Sequence, residues 1–192
     1  MTKRALIVVD IQNDYFPGGK WTLSGIEAAA DNAARVIEAA RAAGELIIHI
    51  RHEIEGDDAP FFAAGSKGAQ IHPKALNRDD ERVILKHYPN AFRETDLKQV
   101  LDRNAIDELV IVGNMSHMCI DATSRAAHDF GYKVTVVHDA CAARDLEFNG
   151  VKVAAAEVHA AFMAALGSAY ATLLSTDALL GAANIETAVA QS

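Results

Sequence analysis

The sequence predicts an α/β protein with a doubly wound, mainly parallel sheet of five to six strands and helices on both faces. Short apolar runs alternate along the chain with stretches in which apolar residues recur at helical spacing, the order that builds parallel sheets. Two of these runs end in the ionisable residues Asp10 and Lys86, and a third is soon followed by Cys119. Since the carboxyl ends of parallel strands meet at one edge of the sheet, that edge is the expected place for a functional site.

The individual elements follow from the apolar pattern and from the residues that interrupt it. Residues 5–10 form the first strand, and the helix after it is expected to begin at the N-cap Ser24 and to stop at Gly44. A second strand over 46–50 leads into residues 53–80, a long loop without a clear period that indicates a role in function and specificity. The remaining elements, in chain order, are strand 82–86, helix 95–103, strand 109–112, helix 120–131, strand 134–137, a long helix with Val151, Ala155, Val158, Phe162 and Ala165 on one stripe, an edge strand at 172–175 and a weakly held tail at 181–192.

Composition and charge limit the class of protein. The 192 residues are 51% hydrophobic and 23% charged, close to globular averages, and they are interpreted as one domain, 1–192. A formal net charge of −8 argues against a nucleic-acid partner, which would need a concentrated basic surface. The apolar run before Asp10 is too short for a signal peptide or a membrane span, and Cys119 and Cys141 make no disulfide framework, so a reducing, cytoplasmic location is expected.

Cys119 is the candidate nucleophile. It lies at the start of a predicted helix, where unpaired backbone N–H groups favour the thiolate. Asp10 and Lys86 would add an acid or base and a cation from neighbouring strand ends. Taken singly, each of the three has a structural alternative: a packing thiol, a turn cap and a solvated lysine. The second cysteine, Cys141, is interpreted as a packing residue.

Asp10, Lys86 and Cys119 each lie in a short sequence motif, and further motifs follow along the chain. In chain order they are Val8–Asp14 (VVDIQND) with Phe16, Lys86 with Asn90–Phe92 and Thr95, Gly113–Cys119 (GNMSHMC), and Ala126–Tyr132 followed by Asp139–Ala140. Over roughly Ala5 to Ser175 they resemble the isochorismatase-like cysteine hydrolases, a family that includes nicotinamidases and other amidases. Several motifs in the right order are far more specific than one short pattern.

The resemblance implies a catalytic triad of Asp10, Lys86 and Cys119, in which Cys119 forms a covalent acyl-enzyme. Asp10 would take the thiol proton, pass it to the departing amine and then activate water, while Lys86 stabilises the negative charge. The resemblance also implies a cis peptide bond between Asn114 and Met115, which directs the backbone N–H groups of Met115 and Cys119 at the oxyanion. Relatives form dimers or tetramers, so a homo-oligomer is expected.

The chain departs from the nicotinamidases at their metal site. Those enzymes bind a divalent ion through an aspartate and several histidines that follow the second strand. Here His49 and His52 flank Arg51 without an Asp-x-His arrangement, and His72 stands alone, so neither a metal nor another cofactor is expected. His117 also replaces the acidic residue that is common two places before the family cysteine.

The substrate pocket is expected between the loop after the first strand and the 53–80 loop. Its candidate residues are Phe16, Trp21, His52, Tyr88 and His117, with Phe61 and Phe62 as further aromatic candidates. For Trp21, Phe61 and Phe62, a place in the core or in a subunit interface is nearly as well supported.

The sequence thus predicts a metal-independent cysteine hydrolase that cleaves the amide C–N bond of a small molecule. Alternatives within the family are hydrolysis of a vinyl ether, as in isochorismatase itself, and hydrolysis of nicotinamide. A non-enzyme alternative is a redox-responsive binding protein in which Cys119 senses oxidants. The presence of both Asp10 and Lys86 favours the enzyme, because a sensor needs a cation near its thiol but no proton-shuttling carboxylate.

Overall fold

The computed structural model describes residues 3–56 and 58–182. Within these ranges the strands and helices are β1 (Arg4–Val9), α1 (Ile26–Ala42), β2 (Leu46–His52), β3 (Arg82–Lys86), α2 (Leu97–Arg103), β4 (Glu108–Asn114), α3 (Asp121–Asp129), β5 (Lys133–Ala142), β6 (Leu146–Phe148), β7 (Val151–Val153), α4 (Ala155–Ala169) and β8 (Thr172–Leu174). Six of these strands form one parallel sheet in the order β3-β2-β1-β4-β5-β8. The predicted fold class is therefore confirmed. None of the helices in these ranges has the length and apolar character needed to cross a membrane.

The two faces of the sheet are covered by different helices, because side chains alternate along each strand. On β1, Leu6 and Val8 lie in one apolar cluster with residues of α1, whereas Ile7 and Val9 lie in a second cluster with Leu101 of α2. Every residue of β1 after its first is buried. This cover on both faces explains why the strand is an unbroken apolar run instead of an alternating one.

The segment between β5 and α4 differs from the prediction. β5 runs on to Ala142, well beyond its predicted end, and Val151 belongs to β7 instead of the last helix, which begins at Ala155. Strands β6 and β7 form an antiparallel hairpin around Asn149 and Gly150, whose φ angles are 50° and 76°. An Asn-Gly pair between short apolar runs is a strong hairpin signal, so the sequence did carry this element.

Two other predicted boundaries also change. Gly25, with a φ of 70°, occupies the N-cap position of α1, and Ser24 instead donates its N–H to the carbonyl oxygen of Ala143 at 3.0 Å. Residues 176–182 are helical, so the predicted tail begins inside a helix. The rest of that tail, 183–192, lies outside the described residues.

Gly113 makes possible the close contact of β1 with β4. The order of the strands in the sheet reverses between these two strands. Gly113 pairs with Val9 and has a φ of 116°, a conformation that favours glycine. A Cβ at this position would lie 1.9 Å from the carbonyl oxygen of Val9. Because ligands bind beyond the carboxyl ends of strands at such reversals, this close approach helps to position the candidate site.

The long loop between β2 and β3 is held by residues that follow β1. The side chain of Gln12 donates to the carbonyl oxygens of His52 and Ala69, each at 2.7 Å. Oδ2 of Asp14 accepts from the N–H of Phe62, also at 2.7 Å. Gln12 and Asp14 are both buried, so losing these hydrogen bonds would leave buried polar groups unpaired.

Gly113→Ala is expected to lower the free energy of unfolding by roughly 3 kcal/mol or more, because the new Cβ must relieve both the positive φ and the collision with Val9. Urea unfolding followed by circular dichroism measures the change. Gly181→Ala is the matched control, since a Cβ there meets nothing within 4 Å. In its helix this substitution should raise stability by at most about 1 kcal/mol. Equal stabilities of the two variants would contradict this account of the contact of β1 with β4.

Candidate active site

The three side chains of the predicted triad meet beyond the carboxyl ends of the sheet. Asp10 directly follows β1, Lys86 ends β3, and Cys119 lies in a π-helical turn, Ser116–Ile120, between β4 and α3. Nζ of Lys86 is 2.8 Å from Oδ2 of Asp10 and 3.2 Å from Sγ of Cys119. Asp10 and Lys86 are fully buried and Cys119 is 3% exposed. Separate elements thus bring a carboxylate, an ammonium and a thiol to one point.

His52, the last residue of β2, is a fourth polar group in this cluster. Its Nδ1 is 2.9 Å from Nζ of Lys86, 3.7 Å from Oδ2 of Asp10 and 4.0 Å from Sγ of Cys119. In the part of the chain that is described, the ligand-type atoms of Asp10, His52 and Cys119 converge closely enough to hold a metal ion. The ammonium of Lys86 contacts all three, so the chain itself supplies the positive charge that they face.

Asp10 and Lys86 stabilise each other's charge. Burial by itself raises the pKa of Asp10, but the positive charge of Lys86, whose Nζ is 2.8 Å from Oδ2, is the largest of the effects that hold that pKa below its ordinary value. Burial by itself lowers the pKa of Lys86, but the negative charge of Asp10 helps to hold that pKa above its ordinary value. The pair is therefore ionised at neutral pH.

Cys119 is a thiol at rest, whereas its position near a helix start predicted a thiolate. Burial raises the pKa of Cys119 above its ordinary value, and the negative charge of Asp10 raises it further, while Lys86 offsets only part of the rise. The helix-end effect is small beside the loss of water around a buried sulfur. Attack by Cys119 would therefore require a base, and Asp10 is the carboxylate in the same cluster.

The turn before Cys119 is tied to the end of β5. The peptide bond between Asn114 and Met115 is cis. Oδ1 of Asn114 accepts from the N–H of Ala142 at 3.0 Å, and the hydroxyl of Ser116 donates to the carbonyl oxygen of Ala142 at 3.1 Å. Within the described residues the N–H of Met115 makes no backbone hydrogen bond, so it is available for the predicted oxyanion hole.

Tyr15 and the predicted pocket residue Phe16 are both buried beside the segment that carries Asp10. Burial raises the pKa of Tyr15, and negative charge on Cys119 or Asp10 raises it further. Phe16 lies in the core, where its ring stacks on His72 with centroids 3.5 Å apart. Phe16 remains a predicted pocket residue.

Trp21 and His117 lie among apolar and cationic neighbours. Trp21 stacks on Phe61 with ring centroids 4.6 Å apart, and the Cζ of Arg144 is 3.9 Å from the centroid of the Trp21 ring. His117 is buried and packs edge-on against Phe162. Burial lowers the pKa of His117, and the positive charge of Arg144 lowers it further. Both residues remain predicted pocket residues.

Phe62, Tyr88 and the second cysteine, Cys141, each pack against neighbouring residues of the fold. Phe62 is fully buried and its ring centroid is 4.6 Å from that of Tyr15. Tyr88 carries the guanidinium of Arg93 over its ring at 3.6 Å. Cys141 donates to a backbone carbonyl of its own strand, and burial raises the pKa of Cys141 to about 12. These properties are typical of an unreactive packing thiol.

A doubly wound sheet with a thiol, a carboxylate and an ammonium at its order reversal defines an α/β enzyme with its site in the usual crevice. The Isochorismatase domain family matches residues 4–178. The chain therefore belongs to the isochorismatase family of hydrolases, and the resemblance inferred from the motifs is confirmed.

Similar proteins match nearly the full length of the chain. The isochorismatase family protein YddQ of Bacillus subtilis (strain 168) is 48% identical over 176 residues, which are 92% of this chain and 98% of that protein. A crystal structure described as an isochorismatase hydrolase from Oleispira antarctica is 54% identical, with a TM-score of 0.91, over 94% of this chain and 97% of that one. The N-carbamoylsarcosine amidase of Thermoplasma acidophilum is 25% identical, with a TM-score of 0.78, over 92% of this chain and 98% of that one.

Replacing either charged neighbour of Cys119 is expected to change its reactivity in opposite directions. Asp10→Asn removes a negative charge, so the pKa of Cys119 falls and alkylation by iodoacetamide at a fixed near-neutral pH becomes faster, by about tenfold per pKa unit. Lys86→Met removes the positive charge, so alkylation becomes slower. Mass spectrometry in a Cys141→Ala background measures the rate at Cys119 alone.

Asp31→Asn serves as the control for this series, because Asp31 is an exposed carboxylate paired with Lys74 and should leave the alkylation rate unchanged. Circular dichroism must show that Lys86→Met is folded, since breaking a buried ion pair costs about 3–5 kcal/mol. The electrostatic assignment is wrong if Asp10→Asn slows alkylation or Lys86→Met accelerates it.

Proposed function

We propose that the protein is a metal-independent cysteine hydrolase that cleaves the amide C–N bond of a small molecule. The observation that carries the proposal is the position of the Cys119 thiol, 3.2 Å from an ammonium that also contacts the carboxylate of Asp10 at 2.8 Å. These groups supply a nucleophile, a base and a fixed positive charge. Similarity to an N-carbamoylsarcosine amidase supports an amide as the substrate class.

In the first half of the reaction, the carboxylate of Asp10 takes the thiol proton as Sγ of Cys119 attacks the carbonyl carbon. The carbonyl electron pair moves to oxygen, and the backbone N–H groups of Met115 and Cys119 stabilise that oxyanion, at about 3 kcal/mol for each donor. The tetrahedral intermediate collapses, the C–N bond breaks, and the amine leaves with the proton from Asp10. A thioester on Cys119 remains.

In the second half, water replaces the amine. Asp10 takes a proton from the water as its oxygen attacks the thioester carbon, and a second oxyanion forms in the same place. The C–S bond then breaks, Cys119 leaves as a thiolate beside Lys86, and it recovers its proton from Asp10. The product is a carboxylic acid, and the site returns to its starting protonation state.

Lys86 supports a mechanism that does not require a metal ion. Its ammonium lies within 2.8–3.2 Å of the carboxylate, imidazole and thiol that would otherwise be candidate ligands. A fixed ammonium in a buried site stabilises a departing thiolate directly, because the local dielectric is low. The positive charge needed for the reaction is therefore part of the chain.

The oxidant-sensing alternative is less well supported. Susceptibility of a thiol to oxidants follows its thiolate character and its exposure. Burial raises the pKa of Cys119, and only 3% of the residue is exposed. Both properties favour a nucleophile that is deprotonated during the reaction over a thiol that reacts with peroxide at rest.

Cys119→Ala is expected to lower kcat by at least about a thousandfold against any amide that the wild type hydrolyses, because no other group can form the thioester. A panel of small linear, cyclic and ureido amides identifies that substrate, and mass spectrometry of quenched wild type should detect the acyl adduct on Cys119. Cys141→Ala is the matched control and should retain full turnover. Undiminished turnover by Cys119→Ala would end the covalent mechanism.

We also propose that the protein works as a homo-oligomer, with the hairpin of β6 and β7 as a contact surface. Phe148 and Val151 are cross-strand partners, and they are 78% and 63% exposed. A two-stranded hairpin is marginally stable alone, and clustered exposed apolar side chains are typical of protein interfaces. A second copy of the chain that covers this pair would bury both side chains.

Phe148→Asp is therefore expected to shift the protein towards monomers, because a charge would enter an apolar contact. Size-exclusion chromatography with light scattering measures the mass in solution. Glu147→Ala is the control, since Glu147 alternates with Phe148 on the strand and points to the other side of the hairpin. A monomeric wild type, or an unchanged oligomer in Phe148→Asp, would contradict this surface.

A further inference from the structure

The ammonium of Lys86 faces acceptor atoms from three different elements. Within residues 3–56 and 58–182 these are Oδ2 of Asp10 after β1 at 2.8 Å, Nδ1 of His52 on β2 at 2.9 Å and Sγ of Cys119 in the π-helical turn at 3.2 Å. These are also the titratable groups that face Lys86. An ammonium has three N–H bonds and no lone pair, so each neighbour at this distance must present an acceptor.

This condition determines the protonation of the His52 ring. A proton on Nδ1 would point at the Lys86 ammonium from 2.9 Å, which sets two donors and two positive partial charges against each other. The carboxylate of Asp10 offers no better partner for such a proton, since its Oδ2 is 3.7 Å from Nδ1. The arrangement therefore requires a lone pair on Nδ1 and a proton on Nε2.

We propose that His52 is a positioning residue whose Nδ1 lone pair holds one N–H of Lys86 and so fixes the ammonium between the carboxylate of Asp10 and the thiol of Cys119. The atom left for a substrate contact is Nε2–H, as a donor. The effect on turnover rests on the proposed amidase function, whereas the tautomer and the contact with Lys86 do not.

The backbone of His52 is fixed in a way that supports this role. Its N–H donates to Oε1 of the buried Gln12 at 2.8 Å, and its carbonyl oxygen accepts from Nε2 of the same side chain at 2.7 Å. His52 is also the register partner of Lys86 in the pairing of β2 with β3, which places both side chains on the same face of the sheet. The ring contacts Phe62 with centroids 6.1 Å apart.

Two substitutions separate the acceptor from the volume of the ring. His52→Asn keeps an acceptor, because its Oδ1 branches from Cγ at the place of Nδ1, whereas His52→Leu puts a methyl group there. His52→Leu should lower kcat by about ten- to a hundredfold, the effect of removing a hydrogen bond to a charged group, with little change in KM. His52→Asn should recover most of this loss.

The pH dependence of kcat/KM distinguishes this role of His52 from a purely structural one, which would leave the profile unchanged. An acceptor lone pair on residue 52 stabilises the charged form of Lys86. When this lone pair is removed, the Lys86 ammonium deprotonates at lower pH. The alkaline limb of the kcat/KM profile should therefore shift to lower pH in His52→Leu and return in His52→Asn. An unshifted limb in His52→Leu, or equal profiles for the two variants, would overturn the proposal.

A measurement without substrate separates this inference from the proposed function. In the ¹⁵N-histidine spectrum of the resting wild type at neutral pH, the signals absent from His52→Asn should show an unprotonated Nδ1 and a protonated Nε2. The opposite tautomer, or a doubly protonated ring, would overturn the proposal. The expected tautomer in a protein that hydrolyses no amide would support the role of His52 and contradict the amidase function instead.

Discussion

A buried ammonium is the constraint on which the rest of this site depends. Lys86 is fully buried, and removing such a charge from water costs several kcal/mol unless an opposite charge and acceptor atoms compensate it. The acceptors come from β1, β2 and the turn after β4, so the charge is compensated only when these elements are in their native order. The close approach of Gly113 to Val9 brings β4 against β1 and thereby positions the turn that carries Cys119. The conformation of Gly113 and the compensation of the buried charge on Lys86 are therefore linked through the sheet.

The same constraint explains why Cys119, the proposed nucleophile, rests as a thiol. A carboxylate, an ammonium and a thiol have no net charge together, and after the proposed transfer of the proton from Cys119 to Asp10 the carboxylic acid, ammonium and thiolate would again have none. The transfer moves a negative charge from oxygen to sulfur within contact of the same ammonium, instead of creating a charge in a buried place. A permanent thiolate beside the carboxylate would put two negative charges on one lysine, and the raised pKa of Cys119 reflects that cost.

The sequence predicted the parts of the site that depend on strand ends. Asp10, Lys86 and Cys119 could be found because apolar runs mark the strands and parallel strands share one edge. The contact of His52 with Lys86 could not be found, because it depends on the register of β2 with β3 and on a side-chain rotation that no periodic pattern encodes. The hairpin was missed for a different reason: Val151 fits a helical stripe, and that period outweighed the Asn-Gly turn signal.

The segment after β1 connects the proposed base to the long loop. It carries Asp10, and within a few residues Gln12 and Asp14 hold the backbone of that loop through buried hydrogen bonds. Gly68 completes this attachment, because a Cβ there would lie 2.3 Å from the carboxylate of Asp14. A change at one of these attachment points would displace the loop and Asp10 together, whereas a change elsewhere in the loop would leave Asp10 in place. If the loop forms the proposed pocket wall, its sequence between the attachment points can therefore vary without disturbing the proposed proton shuttle.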